Sequence, residues 1–286
     1  MGKIKTIARR SFLIGSLAVA GGVAFGVYKY KTPHENPLLK DLSEGQASIT
    51  PWVKITSSGI TIITPHTDKG QGSASLQAML IAEELDLDFG QFDIDFGEPS
   101  PAYYNTAMGA EAAPFLSSDT SWTAETMRGV MGGMIKLLGM QLTGGSSTVP
   151  DGFEKLRVAG AVARETLKAA ASKKSGVAVS KLKTEKGHVL LPNGEKLAYT
   201  DLASISASVE PVQEVNLRDA KDWRLIGQNV TRLDMLAKST GTHSYGIDSS
   251  MDGMVHATVK TNPRRGGLKF FNASSASKMR GFKKAL

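Results

Sequence analysis

The 286-residue chain contains no cysteine. Disulfides, thiolate zinc sites, cysteine nucleophiles and iron–sulfur ligation are therefore excluded for this polypeptide. Histidine is sparse, and His34, His66, His188, His243 and His256 stand in no metal-ligand spacing. No metal ligand is assigned, and any metal is expected inside a cofactor. Acid is missing from residues 1–31, which hold six basic residues. The remainder is near neutral, with 28 basic against 27 acidic residues, so most of the formal net charge of +7 belongs to this leader. A broad basic face for nucleic acid loses its support, and Lys278, Arg280, Lys283 and Lys284 read as a solvated end segment. Familiar catalytic sets are also absent. There is no G-x-S-x-G elbow, no P-loop and no G-x-G-x-x-G, and no residue is assigned a catalytic role.

What is present begins with the leader. Ala8-Arg9-Arg10-Ser11-Phe12-Leu13 opens a Gly/Ala-rich apolar stretch that runs to Tyr28. This pattern looks like a twin-arginine export signal. That route carries folded proteins, which suits a chain that must pick up a cofactor or a partner in the cytoplasm. The stretch is intermediate in length between a signal core and a spanning helix. Residues 1–31 thus read equally as a cleaved signal or as a membrane anchor. The expected location is the periplasm or the outer face of the inner membrane.

Residues 32–50, with Pro33, Pro37 and Gly45, read as a linker. Beyond it, Trp52–Thr56 and Ile60–Thr64 predict a hairpin around Ser57-Ser58-Gly59. Gly70-Gln71-Gly72 then precedes a helical repeat of Leu76, Met79, Leu80 and Ile81. Phe92, Ile94 and Phe96 alternate with Asp93 and Asp95, a strand with a solvated acidic face. Glu83 and Glu84 read as ordinary helix surface. Residues 124–138 predict a loose helix, and residues 152–171 a clean one with Leu156, Ala159, Ala163 and Leu167 on one face. A meander is expected from strands at 177–182, 188–191 and 197–199, then a short helix to Ser208. A further strand is expected at 254–260. The fold class is α+β, mixed sheets with packed helices. The expected division is 51–215 for one domain and 216–286 for the start of another.

Two loops carry the functional signal. Gly70-Gln71-Gly72 lies between strand and helix, where glycines admit close backbone approach and a helix N-terminus favours an anion. Gln71 adds an amide that donates and accepts. Thr143-Gly144-Gly145-Ser146-Ser147-Thr148 also precedes a helix and could line a phosphate or pyrophosphate. Taken alone, Gly70-Gln71-Gly72 reads first as a tight turn with nothing bound, and the second loop reads equally as a flexible connector. Together they favour a phosphate-bearing cofactor.

These loops occur in order with Met79-Leu80-Ile81-Ala82-Glu83-Glu84-Leu85-Asp86, Pro101-Ala102-Tyr103-Tyr104-Asn105 and Leu156-Arg157-Val158-Ala159-Gly160-Ala161. Asp222-Trp223-Arg224-Leu225-Ile226-Gly227, Arg232-Leu233-Asp234, Gly246-Ile247-Asp248 and Gly253-Met254-Val255-His256-Ala257 follow. The series resembles the molybdopterin-binding large subunit of the xanthine dehydrogenase superfamily, in its isoquinoline 1-oxidoreductase (aldehyde oxidase-like) branch. Asp68 and Ser73 depart from the pattern, which has a glutamate before the G-Q-G and an apolar residue after it.

The resemblance implies a molybdenum hydroxylase that oxidises N-heteroaromatics or aldehydes with water as oxygen donor. It implies that electrons pass to a small two-iron, two-sulfur subunit, in keeping with the missing cysteines. Gly70, Gln71 and Gly72 would touch the molybdopterin. Gly144, Gly145, Ser146, Ser147 and Thr148 would hold its phosphate or, in a cytosine dinucleotide form, its nucleotide part. Residues 51–215 would be a portion of the molybdopterin-binding domain, and 216–286 the start of a smaller α/β hammerhead-like domain. No position matches the family's catalytic glutamate. The chain is therefore expected to be catalytically incomplete alone and to need a missing C-terminal portion. The alternative reading is a non-catalytic, membrane-tethered periplasmic scaffold that has lost the cofactor.

Overall fold

The computed structural model describes residues 30–286; Arg9, Arg10 and the apolar run to Tyr28 lie outside them. Among the described residues, no helix is long and apolar enough to cross a membrane. The chain forms two compact units, one through Leu236 and one from Ala237 to Leu286.

The first unit is built on a four-stranded sheet in the order β1-β2-β3-β4, comprising Ala47–Thr50, Val53–Ile55, Ile60–Ile63 and Asp93–Asp95. The first three strands are antiparallel neighbours, whereas β4 pairs parallel to β3. Helix α1 (Ser73–Leu85) makes the crossover between β3 and β4. The predicted order of strand, glycine loop, helix and strand is therefore a β-α-β unit. Asp93 and Asp95 are exposed on the edge strand, as their alternation indicates. Strand β1 lies within the stretch read as a linker. It is short and carries only Ala47 and Ile49 as apolar residues, so its strand character comes from pairing with β2.

Three further helices follow: α2 (Thr106–Glu111), α3 (Trp122–Leu138) and α4 (Thr148–Ser175). Ser121 caps α3 by accepting from the Ala124 amide, and Gly139 ends it in the left-handed conformation. The glycines inside α3 do not break it. Helix α4 runs along α1, and its predicted face of Leu156, Ala159, Ala163 and Leu167 is buried. Gly160 lies against the Ile81 carbonyl, where a Cβ would overlap that oxygen. Glycine is required there to let the two helices approach.

A second sheet is the antiparallel meander β5-β6-β7, comprising Lys183–Glu185, His188–Leu190 and Lys196–Ala198. The strand expected at 177–182 is absent, and Val179–Lys181 makes a 3-10 turn instead. The pairing starts later because Glu185 must face His188 across the Lys186-Gly187 turn, where both residues have positive φ. Ile55, Ile62, Leu80, Ile81, Leu85, Leu167, Val189 and Leu202 share one core across both sheets and the helices. Each such side chain contributes roughly 1.5–3 kcal/mol on burial. Tyr199 reinforces the joint, since its fully buried hydroxyl donates to the Leu85 carbonyl at 3.0 Å.

Glu83 and Glu84 correct the reading as helix surface, for both are fully buried. Glu84 accepts from Arg157 at 2.7 Å and Arg164 at 3.2 Å, and from the Arg218 amide at 3.1 Å. Glu83 accepts from three consecutive amides, those of Arg224, Leu225 and Ile226, at 2.6–3.0 Å. Asp86 holds the Arg218 guanidinium and the Thr184 hydroxyl. The arginines that bury these acids lie 73 to 141 residues away along the chain, beyond the reach of local periodicity.

The second unit has no buried residue and no strand. The strand expected at 254–260 makes no ladder pairing there. Its alternation marks a capacity to pair, but a strand without a neighbour in register is not stable.

Candidate functional site

The two glycine loops line one open cleft of about 480 Å³. Lys69, Gln71, Gly72, Ser73 and Leu76 form one wall. Thr143, Gly144, Gly145, Ser146, Thr148 and Val149 form the other. The first loop runs into α1 and the second into α4, so two helix N-termini open toward the same space. Their first amides have no intrahelical acceptor, and their dipoles favour a negative group.

Each loop is held in a shape that only certain residues adopt. Gly70 and Gly72 have φ of 105° and 86°, a region that costs glycine little. Asp68 fastens this turn: Oδ1 accepts from the Gly70 and Gly72 amides at 2.8 and 3.3 Å, and Oδ2 accepts from Ala74 at 3.0 Å. Partial burial would raise the Asp68 carboxyl. The amides of Gly70, Ala74 and Gly72, with the Arg232 charge, outweigh it and hold the group below its ordinary value. Asp68 therefore caps α1 from outside the helix. Arg232 closes over the loop, donating to the Gly70 carbonyl at 2.8 Å.

In the second loop, Gly145 and Ser146 both take left-handed conformations, with φ of 54° and 57°. Ser147 points inward and is fully buried. Its hydroxyl donates to the Gly144 carbonyl at 2.6 Å and accepts from Asn105 Nδ2 at 2.8 Å. The buried Asn105 also donates to the Leu142 carbonyl at 2.9 Å. Thus Gly144, Gly145, Ser146 and Thr148 line the cleft, whereas Ser147 shapes the loop from behind. Gln71 lines the cleft too, but its amide is engaged locally. Oε1 accepts from the Lys69 amide at 2.6 Å, and Nε2 donates to the Thr67 carbonyl at 2.9 Å and to Ser73 at 3.2 Å. Ser73 in turn donates to the Thr67 carbonyl at 3.1 Å, so this departure from the family pattern serves the loop itself.

What joins the two walls was not legible as a motif. The Thr67 amide donates to Thr143 Oγ1 at 3.0 Å. Behind it, His66 is 5% exposed, with Nδ1 3.1 Å from Thr148 Oγ1 and Nε2 3.4 Å from Asp151 Oδ2. Lys155 donates to both oxygens of Asp151, at 2.9 and 2.8 Å, and to the Tyr104 carbonyl at 2.7 Å. Burial would raise the Asp151 carboxyl, but the His66 hydrogen bond and the Lys155 ammonium hold it below its ordinary value. Burial also pushes the Lys155 ammonium down, against the pull of Asp151. His66, Asn105 and Asp151 sit on a loop, a helix entry and a helix with ordinary spacing. The one available signal is polar residues at positions that flank glycine loops. Among the described residues, no group of three or more His, Asp and Glu converges on a metal-sized point.

No family model matches the chain. It is 26% identical to the beta chain of isoquinoline 1-oxidoreductase from Brevundimonas diminuta, over 91% of this chain and 34% of that protein. It is also 26% identical to membrane-bound aldehyde dehydrogenase [pyrroloquinoline-quinone] of Gluconacetobacter polyoxogenes, over 97% of this chain and 32% of that protein. Over most of its length the chain is thus similar to one part of larger oxidoreductases. A nicotinate dehydrogenase subunit of Pseudomonas putida is a third relative, 26% identical over 82% of this chain and 17% of that protein. All three are named as oxidoreductases, and two as subunits. The chain spans about a third of the length of the first two.

Proposed function

We propose that this chain forms part of the molybdopterin-binding region of an exported molybdenum hydroxylase acting on an N-heteroaromatic or an aldehyde. The observation that carries this reading is the convergence of both glycine loops, with two helix N-termini, on one cleft. That donor set fits a phosphate-bearing pterin. Gln71, Gly72 and Ser73 would line the pterin side. Gly144, Gly145, Ser146 and Thr148 would hold its phosphate or nucleotide part, and Lys69 would add positive charge. When bound, molybdopterin supplies the two-electron oxidation, with water as the source of oxygen.

This chain's own residues bind and orient. Asp68, Asn105 and Ser147 hold the loops open, and Arg232 covers one of them. No residue here is assigned to the chemical step. The remainder of the active site would come from polypeptide corresponding to the rest of the relatives' length, and electrons would leave to a two-iron, two-sulfur subunit. The twin-arginine pattern at Arg9-Arg10 would place the folded assembly in the periplasm or on the outer face of the inner membrane.

The test is analysis of the protein purified from its own host as the assembly it forms there. Molybdenum with a releasable pterin supports the reading. Bound pyrroloquinoline quinone without molybdenum, or a preparation holding neither, overturns it; the latter outcome supports the scaffold alternative.

A further inference from the structure

The hydroxyl of Thr148 is a wall group of the cleft whose partner from behind is a titratable ring. Its partner is His66 Nδ1, at 3.1 Å. The other ring nitrogen faces Asp151 Oδ2 at 3.4 Å. Asp151 is 7% exposed and surrounded by donors: the Thr106 amide and hydroxyl at 2.8 and 3.0 Å, and Lys155 at 2.8 Å. An ionised carboxylate only accepts. A lone pair on Nε2 would face that negative charge, so the proton is favoured on Nε2, and in a neutral ring Nδ1 then holds a lone pair. Thr148 must donate its single proton to that lone pair, and it can offer only acceptor capacity to the cleft.

Protonation of His66 reverses this. Nδ1 becomes a donor, Thr148 Oγ1 accepts from it, and the hydroxyl proton is released toward the cleft. Both contacts of the imidazole survive, so the change is one of direction rather than of structure. Several titratable groups face or flank His66. Asp151 and Lys155 come from α4, and Tyr103 and Tyr104 line the same small cavity. Gln77, from α1, is neutral and binds the His66 main chain at 3.1 and 3.0 Å. Asp68 and Lys69 follow in its own loop.

We propose that His66 is a positioning residue that sets the donor or acceptor sense of Thr148, so that anion binding in the cleft is coupled to proton uptake. The proposal rests on the reading of the cleft as a site for a phosphate-bearing group. In its protonated state the site presents one additional donor to a tetrahedral oxyanion. In its neutral state it presents an acceptor, which suits an N–H group instead.

Inorganic sulfate is the suitable probe, because it stays dianionic where imidazole titrates. Its affinity for the full chain is measured by calorimetry at about pH 5.5 and about pH 8. The expected ratio is about tenfold in favour of the lower pH, the order of one charged hydrogen bond. Thr148→Val should cut that ratio to about threefold or less, leaving only the longer-range attraction of the charged ring. Thr148→Ser should restore it, and His66→Gln should abolish it. Circular dichroism accompanies each variant. If Thr148→Val does not fold, the Thr148→Ser and His66→Gln pair decides by itself.

A full ratio in Thr148→Val or in His66→Gln overturns the proposal. So does loss of the ratio in Thr148→Ser, or sulfate binding by the native chain with no pH dependence. Absence of sulfate binding at both pH values, in protein whose native assembly holds molybdenum and pterin, overturns this proposal and leaves the cofactor reading standing. Absence of both removes the cofactor reading as well.

Discussion

Asp68 stands just ahead of α1, while Glu83, Glu84 and Asp86 crowd the other end of the same helix. All are acids, yet the two ends treat them differently. At the N-terminus the helix dipole and the free amides favour a negative charge, and Asp68 needs only short local bonds to stay ionised. At the C-terminus the dipole opposes negative charge by about 0.3–1 kcal/mol per group, and desolvation costs several kcal/mol more. The fold offsets this with Arg157, Arg164, Arg218 and Arg224 and with a row of backbone amides. Hence one end can remain open as a cleft, and the other becomes a closed fastening for residues 216–226. The open end is where a ligand can bind without unfolding anything.

The sharpest way to break this contrast is at the closed end. Glu84→Ala leaves Arg157 and Arg164 buried without their carboxylate and should destabilise the fold by about 3–5 kcal/mol. Urea denaturation measures it, and an unchanged midpoint would mean the pair is not structural. Gly160→Ala should cost about 1–3 kcal/mol by forcing α4 away from the Ile81 carbonyl, with a matching fall in thermal midpoint.

At the open end the effects should be smaller and local. Asp68→Ala should lose about 0.5–2 kcal/mol, the usual worth of a helix cap. Because the Asp68 carboxyl is held below its ordinary value, its contribution is present above about pH 4 and disappears as pH falls through the lowered folded value. The native chain and Asp68→Ala should therefore converge in stability on acidification. A constant difference down to the acid limit would break the assignment of Asp68 as an ionised cap.

Gly144→Ala is the mildest change for stability. A Cβ there meets open space, so stability should stay within about 0.5 kcal/mol. Molybdenum content of the purified assembly should nevertheless fall if the wall touches the cofactor. Gly145→Val does not separate the two effects. Gly145 has positive φ, and a Cβ would lie 2.8 Å from Glu111 Oε2, so the fold itself would be strained.

Much of this was legible in order along the chain. The glycines of both loops, the helices after them and the strand pair before them follow from turn chemistry and from periodicity, which are local. Asp93 and Asp95 were readable because a strand alternates. Glu83 and Glu84 were not, because their partners come from α4 and from residues 218–226. His66 was readable only as a loop residue, since Thr148 and Asp151 lie 82 and 85 positions away. Strand β1 was missed for the same reason: Ala47–Thr50 becomes a strand through β2, not through its own composition.

By itself, then, the amino-acid sequence determined the β-α-β unit, the absence of any thiol chemistry, the position of two glycine loops at helix entries and the similarity to part of larger oxidoreductases. These depend on residue type and short spacing, and they survive in any fold that keeps the order of elements. Only the tertiary structure decided that the two loops share one cleft, that Ser147 supports its wall while Ser146 lines it, and that a buried imidazole stands behind Thr148. Those are distances between residues far apart in the chain. They are set by how closely α1 and α4 pack across Gly160, a contact that no local pattern encodes.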